Sequence, residues 1–119
     1  MIIIFSLLAT FAIAGTTVIA QKVEGVTVEA VKKASSPIEI ATFKHNKKKY
    51  GVKCAGADKK LRCEIWSKKS NSVVIKSSNL KVCKFGDNAA IKSEAKGWSG
   101  NVILLPNVIK HKDQPVCGG

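Results

Sequence analysis

Arginine is almost absent from this chain. Arg62 stands alone beside nineteen lysines, so the formal net charge of +12 rests on compact, flexible ammonium groups rather than on planar guanidinium forks. Sequence-specific base reading relies heavily on those forks, and one arginine cannot supply several such contacts. Carboxylates are scarce as well: eight are dispersed over 119 residues, so any glycosidase-type pair would have to be assembled from distant positions. The chain has no G-x-S-x-G, no H-E-x-x-H and no glycine-rich phosphate loop. It has no C-x2-C pair, and neither histidine stands at a ligand spacing from a cysteine, which argues against zinc. No N-x-S/T sequon occurs. The aromatic residues Phe43, Tyr50, Trp66, Phe85 and Trp98 are scattered rather than grouped as a base-stacking platform. No cofactor or metal is expected.

What is present points first to a compartment. Residues 2–14, IIIFSLLATFAIA, form an apolar run broken only by Ser6 and Thr10, and no charge precedes Lys22. That is the length of a signal-peptide core, although a basic segment before it is missing. Small residues allow cleavage after Ala14 or after Ala20. The second is preferred because it leaves Gln21 as the new N-terminus, giving a signal peptide over 1–20. A signal anchor is the competing reading, weakened by Gly15, Thr16 and Thr17. All charged residues follow residue 20, so the mature chain keeps the whole +12. Its length suits one domain with a modest core.

Cys54, Cys63, Cys83 and Cys117 are an even set in a small exported domain, and two disulfides are the expected reading. Spacing leaves three connectivities open. A bridge from Cys54 or Cys63 to Cys117 is favoured, because the polar tail HKDQPVCGG needs something to hold it.

Residues 21–37 form an N-terminal arm whose valines fit a short helix over 26–33, a first strand or a loose segment equally well. From Ile38 onward, short apolar runs alternate with turn signals such as HNKKK, GADKK, KKSN, GDN and KGWSG. Tyr50, Val52 and Cys54 alternate with polar neighbours, as do Leu61, Cys63 and Ile65. This is the pattern of an all-β domain over 38–119, a small disulfide-stapled β-sandwich or barrel of five or six short antiparallel strands. Tyr50–Cys54 and Leu61–Ile65 are expected to pair with both cysteines facing the core and Lys53 and Arg62 facing water. The continuous runs Val73–Ile75 and Val102–Leu105 are expected to lie deepest.

Candidate functional residues cluster in FKHNKKKYGVKCAGADKKLRC. Lys44, Lys47, Lys48, Lys49, Lys53, Lys59, Lys60 and Arg62 are expected to make one contiguous basic surface that speeds encounter with an acidic partner. The bland alternative is a solubilising face. Trp66 falls opposite Cys63 and is a candidate outward anchor. His45 and His111 resemble the histidine pair of small secreted ribonucleases, with Arg62 and Glu64 as another acid–base and phosphate-binding set, but no motif supports either. A loop such as KGWSG or GADKK presented to a protease is a further reading.

A signal peptide, a mature chain of this length, few cysteines, many short strands and no enzymatic motif together make the chain resemble the small secreted effectors of fungal plant pathogens, especially the MAX group related to the toxin ToxB. That group is defined by fold, so no functional positions transfer. The resemblance implies a monomeric, non-enzymatic virulence protein, secreted and in some cases taken up by host cells, that binds a host protein through a strand edge. A ribonuclease-like effector fold is the neighbouring alternative. The other reading of a chain this basic is a secreted ribonuclease-like or antimicrobial protein acting on RNA or anionic membranes.

Overall fold

A computed structural model describes residues 16–95 and 98–117. Eight strands among them form one continuous sheet: β1 (Thr16–Lys22), β2 (Ile38–His45), β3 (Lys48–Ala55), β4 (Arg62–Ser67), β5 (Ser72–Ile75), β6 (Leu80–Phe85), β7 (Asn88–Ala95) and β8 (Trp98–Leu105). Their spatial order is β5-β4-β3-β2-β1-β8-β7-β6. Neighbours are antiparallel except β1 and β8, which run parallel over six register pairs. The sheet curls until β4 packs against β6, making a nearly closed barrel whose edges are β5 and β6.

The architecture is all-β, as the alternation predicts, but with eight strands rather than five or six. Seven follow the apolar runs visible in the sequence. The eighth, β1, comes from TTVIAQK, whose apolar continuity reads as the end of a leader. The expected signal peptide lies outside the described residues except for 16–20, and those five are strand. Residues 21–37 are correspondingly more than an arm: they carry the end of β1 and a helix, α1 (Val28–Lys33). Thr27 caps α1, its hydroxyl accepting from the Ala30 N–H at 3.1 Å. Lys32 and Lys33 close it where cations suit the helix dipole. Its one buried residue, Val31, plugs the end of the barrel, and the Val31 carbonyl accepts the Gly56 N–H at 2.9 Å.

Inward positions alternate along the strands and fill the barrel with Ile40, Val52, Cys54, Ile65, Ile91, Val102 and Leu104, closed by Ala20 from β1. The pairing of β3 with β4 sets Cys54 opposite Cys63 with both buried, and leaves Arg62 exposed, as expected. The two deep strands expected of the sequence diverge. Val102, Ile103 and Leu104 are buried on both faces, whereas β5 is an edge with Val73 and Val74 exposed and only Ile75 buried. A continuous apolar run suggests burial on two sides, but here the strand ends the sheet and the register shifts beside Val74.

The disulfides are Cys54–Cys63 and Cys83–Cys117. Cys117 therefore does not reach Cys54 or Cys63. Those two face each other across one hairpin, with Cα atoms 4.0 Å apart, and each is the other's natural partner. The tail instead runs along β6, where Lys84 and Cys117 exchange backbone hydrogen bonds with the tail and with β6: Lys84 N–H to the Pro115 carbonyl and Cys117 N–H to the Lys84 carbonyl, both 2.8 Å. Cys117 thus covers Cys83, Ala90 and Ile103 on the outer wall.

Candidate docking site

Two hairpin turns stand side by side at one end of the barrel. The first joins β2 to β3 through Asn46 and Lys47 alone, since His45 pairs with Lys48. A two-residue hairpin loop of this kind needs positive φ at both central positions, and Asn46 (53°) and Lys47 (67°) supply it. Asparagine tolerates that region; a lysine there costs about 1–2 kcal/mol that glycine would not. The second turn joins β4 to β5. The Lys68 N–H donates to the Lys49 carbonyl at 3.0 Å, which locks the two turns together. Ser67 accepts from the Ser70 N–H at 3.3 Å, and Asn71 takes the positive φ of 52° that reverses the chain.

The result is an open recess of about 740 Å³ lined by Lys47, Lys48, Lys49, Lys68, Lys69 and the serines 67 and 70. Lys68 is neutralised: its ammonium donates to both carboxylate oxygens of Glu39, at 2.9 and 2.8 Å. The pair passes directly over Gly51, where a Cβ would come within 3.3 Å of the Glu39 carboxylate. Lys44, Lys47, Lys48, Lys49 and Lys69 have no ion-pair partner among the described residues. Lys44 and Lys49 sit directly opposite each other across β2 and β3, a like-charge placement that is destabilising. Lys81 and Lys92 are opposed in the same way on β6 and β7, but there Glu94 lies 3.5 Å from Lys81.

The eight basic residues singled out from the sequence do not form one surface. Lys44, Lys47, Lys48 and Lys49 lie at this end. Lys59 and Lys60 lie in the β3–β4 loop at the other, and Arg62 donates to the Ser35 carbonyl there at 2.8 Å. Strand β3 between the two ends has eight residues, or about 24 Å of rise, roughly three Debye lengths at physiological salt. Lys53, the expected bridge, is spent locally: its ammonium sits 3.6 Å from the centroid of the Trp66 ring. The Trp66 indole N–H donates to Glu64 at 2.8 Å. Trp66 does point outward, as its position opposite Cys63 implies, but its face is covered and it is no free anchor.

Beside the lysine turns, Phe43 stacks on Tyr50 (5.3 Å between centroids) and on Trp98 (6.3 Å), and His45 meets Trp98 edge-on at 5.6 Å. His111 lines a different recess, of about 350 Å³, with Asp58, Lys110 and Asp113 at the opposite end. The two histidines are thus separated by the length of β3, and no paired acid–base site arises from them. Glu64 is bonded to Trp66 while Arg62 is bonded to Ser35, so that pair is divided too. Of the KGWSG loop, Lys96 and Gly97 lie outside the described residues. No cluster of metal-binding side chains occurs among the described residues, and none of their helices is long and apolar enough to cross a membrane.

Sequence reasoning missed Lys68, Lys69 and the β5 edge. The only signal was the turn KKSN; its position beside HNKKK depends on strand register, which composition does not reveal. No known protein family, curated protein or solved structure matches the chain.

Proposed function

We propose that the chain is an exported, non-enzymatic binding protein that docks an acidic host protein through its lysine-rich end and the adjoining edge of β5. The observation that carries this reading is the stored repulsion of that end. Lys44 and Lys49 face each other with no acid between them, and Lys47 occupies a glycine-favouring position. The hairpin enforces both features, and an anionic partner would relieve the repulsion between the two lysines, though not the backbone strain at Lys47. Two disulfides, with no free cysteine among the described residues, suit an oxidising compartment. β5 pairs only with β4, leads directly out of the Lys68–Lys69 turn and ends at exposed Lys76, so an acidic segment added to it as a strand would meet ammonium groups at both ends. RNA or an anionic membrane is the second reading, favoured by the lysines of that end that have no ion-pair partner among the described residues.

Photo-crosslinkers placed at Val73 and, in parallel, at Lys59 test the proposal in extract of host tissue. A protein adduct formed at Val73, absent at Lys59 and lost when Lys47, Lys48 and Lys49 are replaced by glutamate, is the expected result. Equal adducts at both positions, or an RNA adduct at Val73, would remove the docking assignment. Turnover of RNA by the purified protein would remove the non-enzymatic one.

A further inference from the structure

The end of the barrel that carries the lysine turns also holds a small apolar recess, with the unpaired edge strand β5 on one side of it. Phe43, Tyr50, Ile65, Val74, Ile75 and Trp98 line about 80 Å³ there. Phe43, Ile65 and Ile75 are buried, while Val74 is half exposed at the mouth. Lys49 precedes Tyr50, and Ser67, at the start of the Lys68–Lys69 turn, pairs with Tyr50 across β3 and β4. An apolar hole and a cationic rim therefore share one end of the molecule.

We propose that this recess is the specificity pocket of the docking surface and takes one small, branched apolar side chain from an extended acidic segment of the partner protein. The proposal rests on the docking reading above and adds to it the sequence character of the partner. A strand laid beside β5 alternates its side chains, so one of them turns to Val74 at the mouth of the recess while its two neighbours turn to solvent. The inward position meets Val74 and the aromatic stack; the flanking positions meet Lys69 and Lys76. The pattern recognised is acidic–apolar–acidic. Size narrows the apolar residue further. The recess has the room of about two or three waters, whereas a cavity that takes benzene is about 150 Å³. A valine-sized group fits, and an indole or a nucleobase does not.

The test uses the disulfide-intact protein and fluorescein-labelled heptapeptides with three acidic residues on each side of a central valine, threonine or tryptophan. Valine and threonine have the same shape and similar strand preference, so they differ only in burying a hydroxyl. The valine peptide should bind about tenfold more tightly than the threonine peptide at physiological salt. Val74→Ser, at a half-exposed position, should bring that ratio near one by weakening the valine peptide. Equal binding of the valine and threonine peptides overturns the pocket while leaving the docking surface standing. Tightest binding by the tryptophan peptide overturns the size argument. Failure of all three peptides to bind overturns both the pocket and the docking reading, as does displacement by oligouridylate that depends on Val74.

Discussion

Removing residues 16–20 should open the barrel. β1 is the strand that joins β2 to β8, and five of its six parallel register pairs with β8, from Thr16 to Ala20, would vanish if the chain began at Gln21. Ala20 is fully buried and Val18 packs against the core, so these side chains account for about 2–3 kcal/mol of apolar burial. The backbone hydrogen bonds of the five residues add about 1 kcal/mol each. Ordering five residues costs about 1–2 kcal/mol apiece, which roughly cancels both contributions. The net effect is therefore set by what β1 covers. Phe43, which follows the Thr42 that pairs with Gln21, and Val102 and Leu104, which pair with Val18 and Ala20, are all buried and would each face water on one side, at about 1 kcal/mol per side chain. The loss is about 3 kcal/mol, a large part of the 5–15 kcal/mol typical of a domain. Urea denaturation of two disulfide-intact forms, one starting at Gly15 and one at Gln21, measures it directly. The longer form should be more stable by that amount, and N-terminal sequencing of any protein recovered outside the cell should read from Gly15. Equal stability of the two forms, or a well-folded secreted chain starting at Gln21, would show that β1 is not part of the working barrel.

Lys47→Gly should raise stability by about 1 kcal/mol, because glycine suits the positive φ at that turn position, while slowing association with an acidic partner; a loss of stability would refute the strain assigned to the turn. Gly56→Ala should cost at least about 2 kcal/mol in thermal or urea unfolding, since its φ is 99° and a Cβ would lie 2.5 Å from the Lys60 carbonyl oxygen; a near-neutral effect would contradict the loop geometry. Replacing Cys83 and Cys117 by alanine should cost about 4 kcal/mol, against about 3 kcal/mol for Cys54 and Cys63, as the loops closed span 34 and 9 residues. Trypsin should then cut after Lys110 or Lys112 in the first variant but not in the second, and the reverse pattern would refute the pinning of the tail by Cys117.

Much of the wall of this barrel was legible in the residues themselves. Period-two alternation in Tyr50–Cys54 and around Cys63 defines an inward face, because side chains on a strand must alternate, and the core-facing placement of those cysteines follows from that alone. The abundance of lysine and the even cysteine count likewise set charge and the number of bridges without reference to any contact. What depended on the tertiary structure was everything governed by register and strand order. TTVIAQK is equally apolar whether it is a leader or a strand, and only a vacant slot between β2 and β8 makes it a strand. Val73–Ile75 has the composition of a central strand, yet its place at the end of the sheet exposes two of its three residues. Cys117 was expected near Cys54 or Cys63 and was drawn to Cys83, because the tail follows β6. The lysines of HNKKK and GADKK, close in sequence, are parted by the full length of β3. Lys68 and Lys69, some twenty residues from Lys47, are brought against it by one backbone hydrogen bond between adjacent strands, a long-range pairing that no local pattern encodes.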